Sequence, residues 1–127
     1  MIKVFISQLM NGLTDEEIIK ERTEIVDKIV KKYPFEDILI LDNFFNEKEY
    51  RTTDDVKNKG VWCLGKSINV LSEADLAVFS KDYTLGRGTV FEYNICKEYD
   101  IETLIVGETL WLLVYLGLGT QQAKRFT

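Results

Sequence analysis

The chain has 127 residues, of which 46% are hydrophobic and 29% charged, a composition typical of one globular domain and not of a disordered segment. Its net charge of −5 argues against a nucleic-acid polymer as partner, because grooves that follow phosphate backbones are rich in Lys and Arg. The chain has no His, and its two cysteines form no Cys-x-x-Cys pair, which excludes a Ser–His–Asp triad and a histidine-ligated metal site.

Strands and helices alternate from the beginning of the chain. Residues 2–6 are apolar and partly β-branched, which predicts a buried strand. Thr14 and Glu17 have the spacing of a capping box, in which each side chain bonds the backbone N–H of the other residue, and they predict a helix start. Pro34 ends this helix, and the apolar residues 37–41 predict a second buried strand.

The alternation continues after a charged segment. Residues 44–60 show no clear period, so we expect a loop there. The elements predicted after it are a helix at 61–74, a strand at 75–79, a loop at 80–88, a helix at 89–99 and a strand at 102–106. This order is typical of an α/β fold with a doubly wound, Rossmann- or flavodoxin-like parallel sheet of four to five strands, with helices on both faces.

An α/β domain is therefore predicted for residues 1–106, followed by an apolar C-terminal extension at 107–127. The longest apolar stretch, residues 104–119, is shorter than the roughly 20 residues that a membrane-spanning helix needs. The apolar run at the start of the chain is too short for a signal peptide. We therefore expect a cytoplasmic protein without a membrane partner, whose extension completes the core or contacts another subunit.

In doubly wound sheets, ligands bind beyond the carboxyl ends of the strands. Three polar patches fall at such ends in this sequence, at residues 7–12, 42–43 and 80–92. In the first patch, Ser7, Gln8 and Asn11 can donate to and accept from sugar hydroxyls. Alternatively, these three residues serve only turn formation and entry into the helix.

Two glycines flank Arg87 just before a predicted helix. Gly86 and Gly88 let the backbone approach a ligand closely, and the amides and dipole of the following helix attract anions. Arg87 can pair with a phosphate. The alternative is an ordinary surface turn with a solvated arginine. The chain has no Gly-x-Gly-x-x-Gly after its first strand and no P-loop lysine motif, which argues against both kinds of nucleotide site.

Thr89 and Glu92 also have the spacing of a capping box. In that box Glu92 would accept the backbone N–H of Thr89, and this bond and the helix dipole would both favour the carboxylate over the acid. A carboxylate nucleophile must be ionised, so a cap and a catalytic role of Glu92 are compatible, while a purely structural cap is the alternative. Nearby, Tyr83 and Tyr93 can stack on a flat ring.

Residues 3–17, 64–83 and 86–101 resemble the nucleoside 2-deoxyribosyltransferase-like superfamily, most closely its short phage and bacterial members. The resemblance implies a doubly wound parallel sheet and an enzyme that cleaves the N-glycosidic bond of deoxynucleosides or nucleotides. In that family a glutamate attacks the anomeric carbon, and water or a second base resolves the glycosyl-enzyme, as in a retaining glycosidase. Glu92 matches this nucleophile, and the turn before it matches the loop that holds the sugar or its phosphate.

The chain departs from the family at the positions that assist the nucleophile. Two acidic residues and an orienting tyrosine of the family fall here on Ser67, Gly86 and Phe5. A serine does not readily protonate a leaving purine. Either Asp82, Asp42 or Tyr83 takes over this role, or the chain binds a nucleotide-like ligand without cleaving it.

The sequence therefore predicts an enzyme for deoxyribosyl transfer or hydrolysis, with Glu92 as the catalytic residue and no metal or organic cofactor. The predicted substrate-binding residues are Ser7, Gln8, Asn11, Asp82, Gly86, Arg87, Gly88 and Thr89. The alternative is a non-catalytic protein that captures a nucleotide or a signalling metabolite in the same pocket. In both cases the partner is a small nucleoside or nucleotide, and the resemblance implies a homo-oligomer.

Overall fold

In a computed structural model, which describes residues 1–43 and 55–107, strands and helices alternate as the sequence predicts. The strands are β1 (Ile2–Ser7), β2 (Ile38–Ile40), β3 (Leu76–Phe79) and β4 (Glu102–Ile105). The helices are α1 (Asp15–Lys32), α2 (Lys59–Leu71) and α3 (Arg87–Glu98), and a short 3₁₀ turn spans Tyr83–Leu85. Most of the predicted loop, residues 44–54, and the predicted extension from residue 108 onward lie outside the described residues.

The strands of the described segments form one parallel sheet in the order β2-β1-β3-β4, which confirms the predicted fold class. From β1 the chain passes through α1 to β2 on one side, and it then returns past β1 to β3 on the other side. The order of the sheet therefore reverses between β1 and β3, and doubly wound sheets bind ligands at such a reversal, beyond the carboxyl ends of the strands. At that end of the sheet Ser7 pairs with Phe79.

Helices cover both faces of the sheet, because successive residues of β1 point to opposite sides. Val4 lies in a buried cluster with Ile25 of α1, so α1 packs on one face. Phe5 lies in a second buried cluster with Cys96 of α3, on the other face. Ser7 follows Phe5 by two residues and therefore points to this second face, toward α2 and α3.

Helix α1 starts at the predicted capping box. The backbone N–H of Glu17 donates to Thr14 Oγ1 at 3.2 Å, and the backbone N–H of Thr14 donates to Glu17 Oε1 at 3.1 Å. The helix ends at Lys32, two residues before Pro34, as predicted. No helix within residues 1–43 and 55–107 is long and apolar enough to cross a bilayer.

Candidate functional site

A cavity of about 290 Å³ lies beyond the carboxyl end of β1 and is bounded by α2 and the first turns of α3. Residues 8–11 after β1 and Asn43 after β2 line it. Helix α2 contributes a stripe of small and apolar residues, and the start of α3 contributes Glu92 together with residues 86–89. The three polar patches predicted at strand ends therefore meet at one cavity.

All predicted site residues other than Ser7 and Asp82 line this cavity. Ser7 is buried behind its wall and bonds Glu92. Asp82 is half-buried at the start of the 3₁₀ turn, and its buried Oδ1 has no hydrogen-bond partner in the part of the chain that the structure describes. Asn11 and Arg87 are exposed, so they stand where the cavity opens to solvent.

Glu92 is held at the cavity by two serine hydroxyls. Ser7 Oγ donates to Glu92 Oε1 at 2.9 Å, and Ser67 Oγ donates to Glu92 Oε2 at 2.5 Å. Only 6% of Glu92 is exposed, although it lines the cavity. Each carboxylate oxygen thus has one donor, from β1 and from α2, and this pair of serines fixes the orientation of the side chain.

The capping box predicted for Thr89 and Glu92 is wrong. Helix α3 begins at Arg87, two residues earlier than predicted, with Gly86 as its N-cap residue and no side-chain cap. Thr89 therefore lies inside the first turn, and its hydroxyl bonds the carbonyls of Tyr83 and Gly86. Glu92 lies in the second turn, where its carboxylate accepts hydrogen bonds from the two serines.

The protonation of Glu92 also differs from the expectation that a helix cap keeps it ionised. Burial raises the pKa of Glu92 above its usual value of 4.5, while the hydrogen bonds from Ser67 and Ser7 lower it by a smaller amount. The carboxylate is therefore formed at a cost in solvation, which the two hydroxyl donors partly offset.

The raised pKa of Glu92 predicts a pH-dependent difference in stability between the wild type and Glu92→Gln. The folded protein binds this proton more tightly than the unfolded chain, so the stability that the acid form contributes is lost as the pH rises above 4.5 through the folded pKa. Urea denaturation should show Glu92→Gln gaining stability relative to the wild type as the pH rises above 4.5 through the folded pKa.

Glu98→Gln is the control for this measurement, because Glu98 is exposed on the same helix. This variant also loses one negative charge but leaves the cavity unchanged, so it measures the effect of the lost charge alone. A difference between the wild type and Glu92→Gln that stays constant with pH, or falls as the pH rises, would contradict the raised pKa.

The two glycines beside Arg87 differ in how closely they are packed. A Cβ added at Gly86 would lie 2.7 Å from Leu9 Cδ1 and 2.7 Å from Thr89 Oγ1, and the latter atom is held by hydrogen bonds. A Cβ added at Gly88 would meet no atom within 4 Å. Gly86 is therefore required for packing, whereas Gly88 leaves open space beside the cavity.

Substitution of each glycine by alanine should separate these two roles. Gly86→Ala should lower the free energy of unfolding by about 1–3 kcal/mol, because it overpacks a tight contact. Gly88→Ala should leave it unchanged or raise it by up to about 1 kcal/mol, because Ala favours the helix more than Gly does. Urea denaturation of both variants checks the contrast, and equal effects at the two positions would contradict it.

Gln8 lies in the cavity wall, but its amide is engaged with α1. Gln8 Nε2 donates to the carbonyl of Ile18 at 3.0 Å and to Glu21 Oε1 at 3.1 Å, and Gln8 Oε1 accepts from Arg22 at 3.3 Å. Its residue exposure is only 5%. Gln8 therefore fixes the segment after β1 against α1, and its polar atoms already have partners within the fold.

None of the three residues considered as replacement helpers lines the cavity. Asp42 is exposed, and Asp82 lies in the 3₁₀ turn. Tyr83 packs its ring against Tyr93 at 4.8 Å between centroids, and both rings contact Phe79, so the two tyrosines form an aromatic cluster instead of a stacking surface for a ligand. Glu92 is the one carboxylate among the described residues that line the cavity.

The sequence interpretation did not include Ser67 or Asn43 among the predicted substrate-binding residues. Ser67 belongs to a face of α2 that lines the cavity and consists of Gly60, Cys63, Leu64 and Ser67. These positions lie three or four residues apart and therefore on one face of the helix, and three of the four residues are small. This pattern could have indicated from the sequence that the face borders a cavity. Asn43 lies in the predicted polar patch after β2.

Within residues 1–43 and 55–107, no group of three metal-binding side chains from His, Cys, Asp or Glu comes together. Comparisons of the chain with protein-family models, with curated proteins and with solved structures each give no match. The family resemblance therefore rests on the sequence motifs themselves.

Proposed function

We propose that the protein cleaves the N-glycosidic bond of a deoxynucleoside or deoxynucleotide, with Glu92 as the nucleophile. The observation that carries this proposal is the placement of one buried carboxylate in the wall of a cavity, with a hydroxyl donor on each oxygen. Such a carboxylate has a fixed orientation and little water around it, two conditions that favour attack on a bound sugar. The resemblance to nucleoside 2-deoxyribosyltransferases supports the same role.

The proposed reaction has two steps. A carboxylate oxygen of Glu92 attacks the anomeric carbon, the C–N bond breaks, and its electron pair leaves with the base, which takes up a proton from solvent. Water or a second base then attacks the same carbon and releases the carboxylate. Arg87 and the open backbone amides at the start of α3 lie at the cavity and suit the sugar or a 5′-phosphate.

A second function, capture of a nucleotide without cleavage, is favoured by one observation. Retaining glycosidases use a second carboxyl group as acid and base, and Glu92 has no such neighbour among the described residues that line the cavity. Its raised pKa also lowers the fraction of ionised nucleophile at acidic pH. A pocket of this kind can hold a nucleotide without breaking it.

Incubation with a panel of deoxynucleosides and their 5′-monophosphates separates the two functions. Free base detected by chromatography supports cleavage, and its absence at high protein concentration sinks cleavage of every compound on the panel. Thermal stabilisation by a compound that stays intact then supports capture, because a ligand that binds only the folded state raises its stability.

A further inference from the structure

Asn43 has an unusual hydrogen-bonding state for a buried amide. Its Nδ2 donates to the carbonyl of Ile6 at 2.8 Å, which fixes the amide plane against the end of β1. Among residues 1–43 and 55–107 its buried Oδ1 has no hydrogen-bond partner, and the residue is only 7% exposed. A buried acceptor without a partner is costly, which makes this oxygen a candidate contact for a ligand.

The residue that carries this acceptor lines the same cavity as Glu92. Asn43 lines the cavity and is anchored on Ile6, whereas Glu92 is anchored on Ser7, the next residue of β1. Ile6 and Ser7 are adjacent in β1. The backbone carbonyl of Ile6 therefore holds Asn43, and the hydroxyl of Ser7 holds Glu92. A nucleoside whose sugar contacts Glu92 therefore shares this cavity with Asn43.

We propose that Asn43 Oδ1 accepts a hydrogen bond from the exocyclic amino group of the substrate's base, and that the site therefore selects bases that carry such a group, which are adenine, cytosine and guanine, over bases that lack it, such as thymine. This inference rests on the proposed function in one respect, because it takes the ligand to be a nucleoside or nucleotide. It adds a specificity-determining residue and a class of base. Asn43 acts here by recognition, since a neutral amide does not protonate a leaving base.

The chemistry of the bases favours an amino group over a ring N–H. Oδ1 offers only lone pairs, so it requires an N–H or O–H donor. In thymine the ring N–H lies between two carbonyl oxygens, which would approach Oδ1 with like partial charge. The amino groups of adenine, cytosine and guanine project beyond the ring edge and carry two hydrogens. Leu9, Met10 and Leu64 supply apolar wall that suits the faces of a flat ring.

The test compares bases that differ only by the amino group. The probes are 2′-deoxyadenosine and purine 2′-deoxyriboside, with 2′-deoxycytidine and 2-pyrimidinone 2′-deoxyriboside as a second pair. Dissociation constants are measured by calorimetry in the Glu92→Gln background, so that no probe is consumed, with and without Asn43→Ala. Asn94→Ala, an exposed asparagine on α3, is the matched control.

We expect the amino-bearing probe of at least one pair to bind about tenfold more tightly, and this preference to fall to about one in Asn43→Ala but to persist in Asn94→Ala. Equal weakening of both members of a pair by Asn43→Ala would assign the acceptor to a sugar hydroxyl and overturn the inference. No preference, a preference that survives Asn43→Ala, or no binding of any probe would also overturn it.

A substitute variant and a separate assay of base release complete the test. If Asn43→Ala does not fold, because the bond to Ile6 is lost, Asn43→Ser is measured in the same way with the same expected loss of preference. Base release by the wild type is assayed separately. If the wild type releases no base but still prefers the amino-bearing probe in a way that depends on Asn43, cleavage is refuted and recognition of the amino group is supported.

Discussion

Replacing Glu92 with Gln should lower base release at least about a thousandfold while the protein stays folded. Gln has nearly the same shape as Glu, but its neutral amide cannot form the glycosyl ester that the two-step reaction requires. One of the hydroxyls of Ser7 and Ser67 can still donate to the amide oxygen, and the other can turn to accept from the amide nitrogen, so the packing around position 92 is retained. The measurement is the initial rate of base release at saturating substrate, together with a circular dichroism spectrum.

Glu98→Gln again serves as the matched control, because it removes a carboxylate from the exposed part of the same helix. Its rate should equal that of the wild type. A Glu92→Gln protein that releases base at more than about a tenth of the wild-type rate would rule out Glu92 as the nucleophile.

Replacing Ser67 with Ala should lower the rate at neutral pH by about tenfold or more. The substitution removes the donor to Glu92 Oε2, and a hydrogen bond to a charged group typically contributes about 1.5–3 kcal/mol. Because this bond lowers the pKa of Glu92, its loss should raise that pKa further and move the acidic limb of the pH–rate profile to higher pH. Complete pH–rate profiles of both proteins check the prediction.

The shift of the pH–rate profile distinguishes a positioning role of Ser67 from a purely structural one. Ser67→Thr keeps a hydroxyl on the same carbon and should restore most of the rate and the original profile. Ser72→Ala removes an exposed hydroxyl just beyond α2 and should change neither. If Ser67→Ala lowers the rate equally at every pH, the hydrogen bond does not control the ionisation of Glu92.

The fold could be predicted from the sequence because its signals are local and repeated. Strands such as residues 2–6 are short apolar runs, and the capping box at Thr14 and the proline at position 34 mark both ends of α1. With strands and helices alternating, the right-handed crossover rule leaves few arrangements other than a parallel sheet. All strands of a parallel sheet have their carboxyl ends at one edge, so the polar patches that follow the strands could be assigned to that edge. The adjacency of β1 and β3 comes from the structure.

The details of the site were less predictable, because they depend on contacts between distant segments. Thr89 and Glu92 have the spacing of a capping box, but Gly86 lets the helix begin earlier, and the Thr89 hydroxyl then bonds the preceding turn. The donors to Glu92 come from residues 85 and 25 positions away in the chain. Ser67 was interpreted as a lost helper, whereas the structure gives it a direct contact with the carboxylate.

This contact changes how Ser67 compares with the superfamily that the sequence motifs resemble. In that superfamily, an acidic residue occupies the position of Ser67, and a tyrosine orients the nucleophile. Here Ser7 and Ser67 hold the carboxylate between them. We propose that this pair supplies the orienting function, so that the missing element is an acid for the leaving base and not a support for the nucleophile.

Mass spectrometry of an acid-quenched reaction shows whether Glu92 becomes covalently bonded to the sugar. During turnover of a deoxynucleoside by the wild type, we expect a peptide containing Glu92 whose mass is raised by the sugar, and no such peptide from Glu92→Gln. Sugar attached to a different residue, or base release by Glu92→Gln at the wild-type rate, would contradict the account.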